Sequence, residues 1–301
     1  MSFSKIFAFT LLFLLVLLSI SSASILVLLS EAPSYVCAFW RLFLSTMMIL
    51  SYVFIFEKKT LVFDKKVLFL SLLSGLALGL HFLLWMESLF HIPVAISTTI
   101  VVSYPLFSLF IDKFFYKERI TFIQIIGFIG GFAGIIAFLH PNLYSDYNVY
   151  GVLLALGGAL AATVYFSIGR YIRSKIHTRL IMYVLPTYGF ASLTTLIYTI
   201  FIGGDLLNYS LKSYICFVLL ALIPMIGGHT TMNFLLKYMK TSVVTAIALG
   251  EPIGASLLAY LFLGQIVTLK EALLIALVLS SLFLIVYGEI KKPNQFSAIS
   301  S

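Results

Sequence analysis

Of the chain's 301 residues, 61% are hydrophobic and only 10% charged, against a charged share of roughly 25% in soluble domains. That excludes a soluble globular protein, and the absence of alternating short apolar segments argues against a membrane barrel. The net charge of +8 needs no nucleic-acid partner, because Lys and Arg collect at the cytoplasmic ends of membrane helices, where anionic lipid is their natural contact.

A spanning helix needs about 20 mainly apolar residues, and ten such segments follow one another with short connections. Helix 1, residues 5–30, starts at Lys5 and runs apolar from Phe7 to Leu29. Its Ser21-Ser22-Ala23-Ser24 stretch resembles the cleavage region of a secretory leader. The apolar run continues past that stretch, and losing it leaves four helices facing five, so it is read as a retained span. Helix 2, 34–56, carries Arg41 inside the membrane, about 10 Å below the outer surface at 1.5 Å per residue. Helix 3, 67–90, carries Gly75 and Gly79, then His81 and Trp85 one turn apart, and Glu87 near its outer end. Intramembrane charges commonly pair with each other, so Arg41 and Glu87 are expected to form an ion pair at the outer gate, with direct anion binding by Arg41 as the alternative.

Helix 4, 93–111, has Ser103-Tyr104-Pro105 at its middle. Helix 5, 120–139, has Gly127, Gly130, Gly131 and Gly134, two small-xxx-small pairs that let helix backbones approach where lipid supplies no hydrophobic drive. The loop His140–Asn148 is the most polar interior connection; its Tyr144 and Tyr147, with Tyr150 just beyond it, read as an interfacial aromatic belt. Helices 6 and 7, 149–171 and 179–202, contain Tyr165, Tyr183 and Tyr188, whose hydroxyls are candidates to face a cavity. Helix 8, 213–236, carries His229 and, one turn further, Asn233. Both side chains belong on one face, and an imidazole there can carry a proton or bond a substrate. Trp85 offers a ring on which a planar or cationic ligand stacks.

Helix 9, 242–263, holds the most informative group. Glu251 lies nine residues in, about 13 Å deep at the helical rise and near the middle of a hydrocarbon core about 30 Å thick. Such a group costs about 2.5–3.5 kcal/mol on an insertion scale and tends to face a cavity or partner. Pro252 follows it, removing a backbone donor and clashing with the carbonyl four residues back. Glu251 is therefore expected to bind a proton or a cationic group of a substrate. Helix 10 covers 271–289.

The Tyr104-Pro105 site recurs as Glu251-Pro252 at an offset of 147, with Thr98 on Thr245, Phe115 on Phe262 and Thr121 on Thr268. The chain is thus read as an all-α membrane protein of ten transmembrane helices in two five-helix repeats, 1–139 and 149–291, joined by 140–148 and followed by a tail, 292–301. An odd number of helices per repeat inverts one against the other, as in carriers with a midplane site. Sixteen of the eighteen Lys and Arg outside helix interiors agree with both termini being cytoplasmic; only Lys212 and Lys270 fall on the other face.

Ala38-Phe39-Trp40-Arg41-Leu42, Gly151 to Leu156, Gly228-His229 through Asn233, Ser242-Val243-Val244, Glu251-Pro252 and Leu263-Gly264-Gln265 together resemble the EamA-type transporters of the drug/metabolite transporter superfamily over nearly the whole chain. The family often has Glu where this chain has Gln265, and the first repeat offers Tyr104 before its proline. The resemblance implies helices 1, 3, 4, 6, 8 and 9 around a central cavity, with helices 5 and 10 packed outside. It also implies a secondary active transporter in the cell membrane, exporting small metabolites such as amino acids or related compounds by alternating access.

The chain has no Gly-x-x-x-x-Gly-Lys phosphate loop, which argues against direct ATP drive, and Cys37 and Cys216 form no metal or redox motif. No cofactor is expected. The competing reading is a membrane-embedded enzyme or lipid-handling protein that uses His229 and Glu251 as acid and base.

Overall fold

The computed structural model describes residues 3–57, 61, 63–115, 117, 119–138, 148–239 and 241–290. Most of the loop His140–Asn148, with Tyr144 and Tyr147, lies outside the described residues. So do Lys58, Lys59, Glu118, Lys240, Lys291, Lys292 and the tail 292–301, as do the side chains of Lys5, Ser242 and Val243.

Every regular element among the described residues is helical. The chain runs α1 (Phe3–Ser21), α2 (Ala23–Leu29), α3 (Ser34–Tyr52), α4 (Lys65–Ser88), α5 (Val94–Val101), α6 (Tyr104–Phe114), α7 (Phe122–Phe138) and α8 (Val149–Arg170). It continues with α9 (Leu180–Phe201), α10 (Leu211–Leu220), α11 (Thr231–Leu235), α12 (Thr241–Ala246), α13 (Glu251–Leu263) and α14 (Leu269–Ile290). Eight spans are long and apolar enough to cross a bilayer, and two shorter apolar helices, Phe122–Ala137 and Ile247–Leu263, accompany them. Phe54, Phe114, Phe201 and Ile253 are largely exposed, as side chains facing acyl chains must be.

Helix 1 is divided at Ser22, and helices 4 and 9, where Pro105 and Pro252 mark expected helix breaks, are divided as well. α5 stops at Val101 and α6 starts at Tyr104; α12 stops at Ala246, and a 3-10 turn, Ile247–Gly250, leads into α13 at Glu251. Each proline sits in the first turn of the new helix, where its missing N–H would have had no intrahelical acceptor. The breaks in helices 4 and 9 therefore precede Pro105 and Pro252. A further irregularity has its own proline: between α10 and α11 the backbone is π-helical over Ala221–Thr230, around Pro224.

Glycine sets the closest contacts. A Cβ on Gly75 would lie 2.6 Å from the Phe190 Cβ and 2.7 Å from the Thr187 carbonyl oxygen, so α4 meets α9 backbone to backbone. A Cβ on Gly127 would lie 2.5 Å from the Ser281 carbonyl oxygen, and one on Gly134 2.6 Å from Val278. The helix 5 glycines thus pack α7 against α14, except Gly131, which receives Leu106.

The starts of these two helices carry matching caps. Thr121 N–H donates to Gln124 Oε1 at 2.9 Å while Gln124 N–H returns to Thr121 Oγ1; Thr268 and Glu271 repeat the pattern 147 residues on. Each is a capping box that satisfies two orphan donors reciprocally.

The broken helices cross each other: α5 lies on α13 and α6 on α12. Gly264, at φ 65°, closes α13 in the left-handed conformation. Beside it the Gln265 side-chain oxygen accepts the Val94 N–H at 3.0 Å, which ties the end of α13 to the start of α5. One end of the molecule is basic, with Arg179 paired to Glu57 at 2.7 Å and Lys66 donating to the Tyr171 hydroxyl at 3.2 Å. Lys212 pairs with Glu31 at the other end.

Candidate functional site

Because the two breaks fall at equivalent positions of crossing helices, Tyr104 and Glu251 begin α6 and α13 side by side and line one buried chamber. Its remaining polar wall comes from Arg41 on α3, His81 and Trp85 on α4, and His229 at the end of the π segment. The volume is about 30 Å³, room for a water or two and too little for a metabolite. Helices 1, 3, 4, 6, 8 and 9 all contribute to the lining, and helix 2 joins them through Arg41.

α4 presents His81 and Trp85 together because residues four apart share a helix face. α8 approaches them closely at Gly158, where a Cβ would lie 3.2 Å from the Trp85 Cβ, tighter than ordinary contact. The Gly158 carbonyl lies 3.0 Å from His81 Nδ1. A carbonyl only accepts, so Nδ1 carries the proton and Nε2 is left as an acceptor. Trp85 stacks on His81 itself, with centroids 6.0 Å apart and planes 6° from parallel. Its indole Nε1–H is buried without a partner among the described residues.

His229 faces His81 across the chamber at 6.1 Å between centroids, and stacks on Phe166 at 6.0 Å. At an offset of 147 the partner of His81 would be residue 228, not 229. A π insertion adds one residue to a helix, which accounts for the one-position shift. His229 Nδ1 likewise has no partner among the described residues.

The ion pair expected between Arg41 and Glu87 is not formed. Glu87 accepts from Ser34 Oγ at 2.5 Å and pairs with His91 Nε2 at 3.0 Å. It sits beside the start of α3, whereas Arg41 lies seven residues further in, about 10 Å along the axis. Arg41 is 1% exposed, with its guanidinium carbon 4.1 Å from the centroid of the Phe82 ring. Among the described residues its Nε and Nη1 have no hydrogen-bond partner, and it enters no ion pair. Glu251 is also buried, at 8% exposure, and enters no ion pair in the same sense.

Asn233 and Tyr165 stand behind the chamber wall, on the basic side. Asn233 Nδ2 donates to the Tyr165 hydroxyl and lies 3.5 Å from that of Tyr188. Tyr188 bonds Thr230 at 2.9 Å, and Ser74 bonds Tyr183 at 2.8 Å. The Asn233 main-chain carbonyl accepts from Arg173 Nε at 3.1 Å. Beyond this layer a cavity of about 710 Å³ opens at the basic end, lined by Tyr52, Arg173, Arg179, Thr230, Phe234 and Lys237 among others. The expected single polar face of His229 and Asn233 is thus divided: the histidine lines the chamber and the asparagine closes the layer beneath it. Phe166, a ring of the wall, and Phe82, which packs against Arg41 and edge-on to His229, have no signal in a sequence with 28 phenylalanines. Pro224 with Gly227-Gly228 is the readable sign of the π segment.

Among the described residues no three His, Cys, Asp or Glu side chains gather as a metal site.

The model of the EamA-like transporter family matches this chain twice, over residues 6–139 and 149–287. An uncharacterized transporter of Archaeoglobus fulgidus is 25% identical over 204 residues, 65% of this chain and 69% of that protein. An S-adenosylmethionine uptake transporter of Rickettsia felis is 33% identical over 130 residues, 42% of this chain and 43% of its own, so the match spans less than half of that relative. A solved crystal structure superposes with a TM-score of 0.67 at 16% identity, covering 92% of this chain and 96% of the other, a likeness of fold.

Proposed function

Because the chain belongs to the EamA-like transporter family, we propose that this multi-pass membrane protein is a secondary active carrier working by alternating access through the chamber of Tyr104 and Glu251. The observation that carries the reading is the meeting of the two helix breaks at one buried polar chamber. Ten spans in two inverted repeats are supported by the contacts, which come in exchanged pairs. α4 lies on α8 as α1 lies on the π segment, and α3 lies on the π segment as α4 lies on α9. Swapping conformations between such halves is what moves a central site from one face to the other.

The basic end is assigned to the cytoplasm, and both termini with it, on the distribution of Lys and Arg. The cavity beside Arg173 and Lys237 is then the inner vestibule, and the Asn233–Tyr165–Tyr188 layer is the plug between vestibule and chamber. His81, Trp85, His229, Tyr104 and Glu251 contact the substrate. Pro105 and Pro252 act through the breaks that precede them.

The substrate is a small metabolite of the amino-acid class or a relative of it. The rickettsial relatives are named for S-adenosylmethionine, itself an amino-acid derivative, which supports that class. Export is the assigned direction, although a carrier of this build runs either way down its driving gradient.

Counterflow tests the function. Proteoliposomes preloaded with the twenty standard amino acids and S-adenosylmethionine should accumulate at least one of these labelled compounds from outside, saturably and several-fold above protein-free liposomes. No accumulation of any of them would contradict the proposed activity.

A further inference from the structure

We infer that the ligand of the central chamber is a zwitterion, with its carboxylate on Arg41, its ammonium on Glu251 and a planar side group against Trp85. The inference rests on the carrier reading and names its substrate class.

Buried donors are almost always satisfied, and each one left over asks for an explanation. Arg41 has two, Nε and Nη1, and Trp85 has a third at Nε1. Arg41 is 1% exposed, Trp85 3%, and both line the chamber. The carboxylate expected to serve Arg41 is engaged elsewhere, since Glu87 holds Ser34 and His91. A guanidinium is a planar fork matched to a two-oxygen anion, so the missing partner is best supplied by a carboxylate that arrives with the ligand.

Another part of the wall has the opposite need. Glu251 is an acceptor at 8% exposure in the same chamber, with no cationic side chain paired to it among the described residues. One positive and one negative group, carried on helices from the two halves of the chain and not bridged to each other, match a molecule that carries both signs. A simple anion or cation would leave the other wall group without a partner. The ring of Trp85 and the Phe166 ring beside His229 offer flat apolar surface for the side group.

Three probes that differ only at the charged ends decide the matter: L-phenylalanine, its amide as the cation, and 3-phenylpropionate as the anion. On the purified full-length protein, phenylalanine should bind at least about 30-fold more tightly than either analogue, the scale on which losing one partner of a buried charge pair acts. In Glu251→Gln the advantage over 3-phenylpropionate should fall to a few-fold while the advantage over the amide persists; in Arg41→Gln the pattern should reverse. Should Arg41→Gln not fold, the ranking on the unaltered protein and the Glu251→Gln shift still decide. Equal binding of the amide or the anion, or no measurable binding of phenylalanine, overturns the inference. Counterflow on the same preparation separates the two readings. Flux of the amide or the anion alone leaves a carrier with a different substrate class, whereas absence of any amino-acid or analogue flux removes the carrier reading and the inference with it.

Discussion

Glu251→Gln should lower the turnover of substrate about 10- to 100-fold, because a hydrogen bond to a charged group contributes roughly 1.5–3 kcal/mol. Glutamine has nearly the same shape, so the melting temperature of the purified protein should change little. The loss then lies in the chamber and not in folding. Tyr104 occupies the equivalent position of the first half and lines the same chamber, but its neutral hydroxyl is worth less, about 0.5–1.5 kcal/mol for an uncharged bond. Tyr104→Phe should therefore reduce turnover by about ten-fold or less, by the same conversion. Unchanged flux in Glu251→Gln would make the acid a structural group and move the binding role elsewhere.

Gly75→Leu should have the largest effect on the fold. The first atom added already lies 2.6 Å from the Phe190 Cβ and 2.7 Å from the Thr187 carbonyl oxygen, and a backbone oxygen cannot swing aside as a flexible side chain can. Overpacking costs typically about 1–3 kcal/mol and occasionally more; with backbone on both sides of the seam, about 3 kcal/mol or more is expected here. Detergent-solubilised Gly75→Leu should melt far below the parent or aggregate. The control is Gly189→Ala on the partner helix, where the nearest atom to an added Cβ is Thr46 Cγ2 at 3.8 Å. That change should be neutral or slightly stabilising, since alanine is the better helix former. Equal stability of the two variants would mean that α4 and α9 do not meet as described.

Much of this arrangement is legible in the sequence, for reasons of period and cost. Long apolar runs announce helices, and an acid beside a proline in mid-span is expensive enough to mark a polar site. The 147-residue offset alone brings Tyr104 into register with Glu251. What cannot be read depends on helix rotation and on side-chain choice between neighbours. Arg41 and Glu87 both read as lying toward the outer surface, yet Ser34 and His91 hold the glutamate at the start of α3, about 10 Å along the axis from Arg41. Pro224 with Gly227-Gly228 marks an irregularity in helix 8, but not that His229 lines the chamber while Asn233 lies behind its wall. The prolines point to breaks at 105 and 252, and the breaks in fact lie just before them, because a proline starts a helix more readily than it interrupts one.

The central claim is that the crossing of the broken helices encloses a chamber open to one side at a time. A single cysteine at position 104, in a protein with Cys37 and Cys216 replaced by alanine, tests it most directly through labelling with a membrane-impermeant maleimide in right-side-out and inside-out vesicles. The account predicts that the thiol reacts from one face at a time, and that an amino-acid mixture on the opposite face shifts which face that is. Reaction from both faces at once under every condition, or from a single face whatever the gradient, would contradict it.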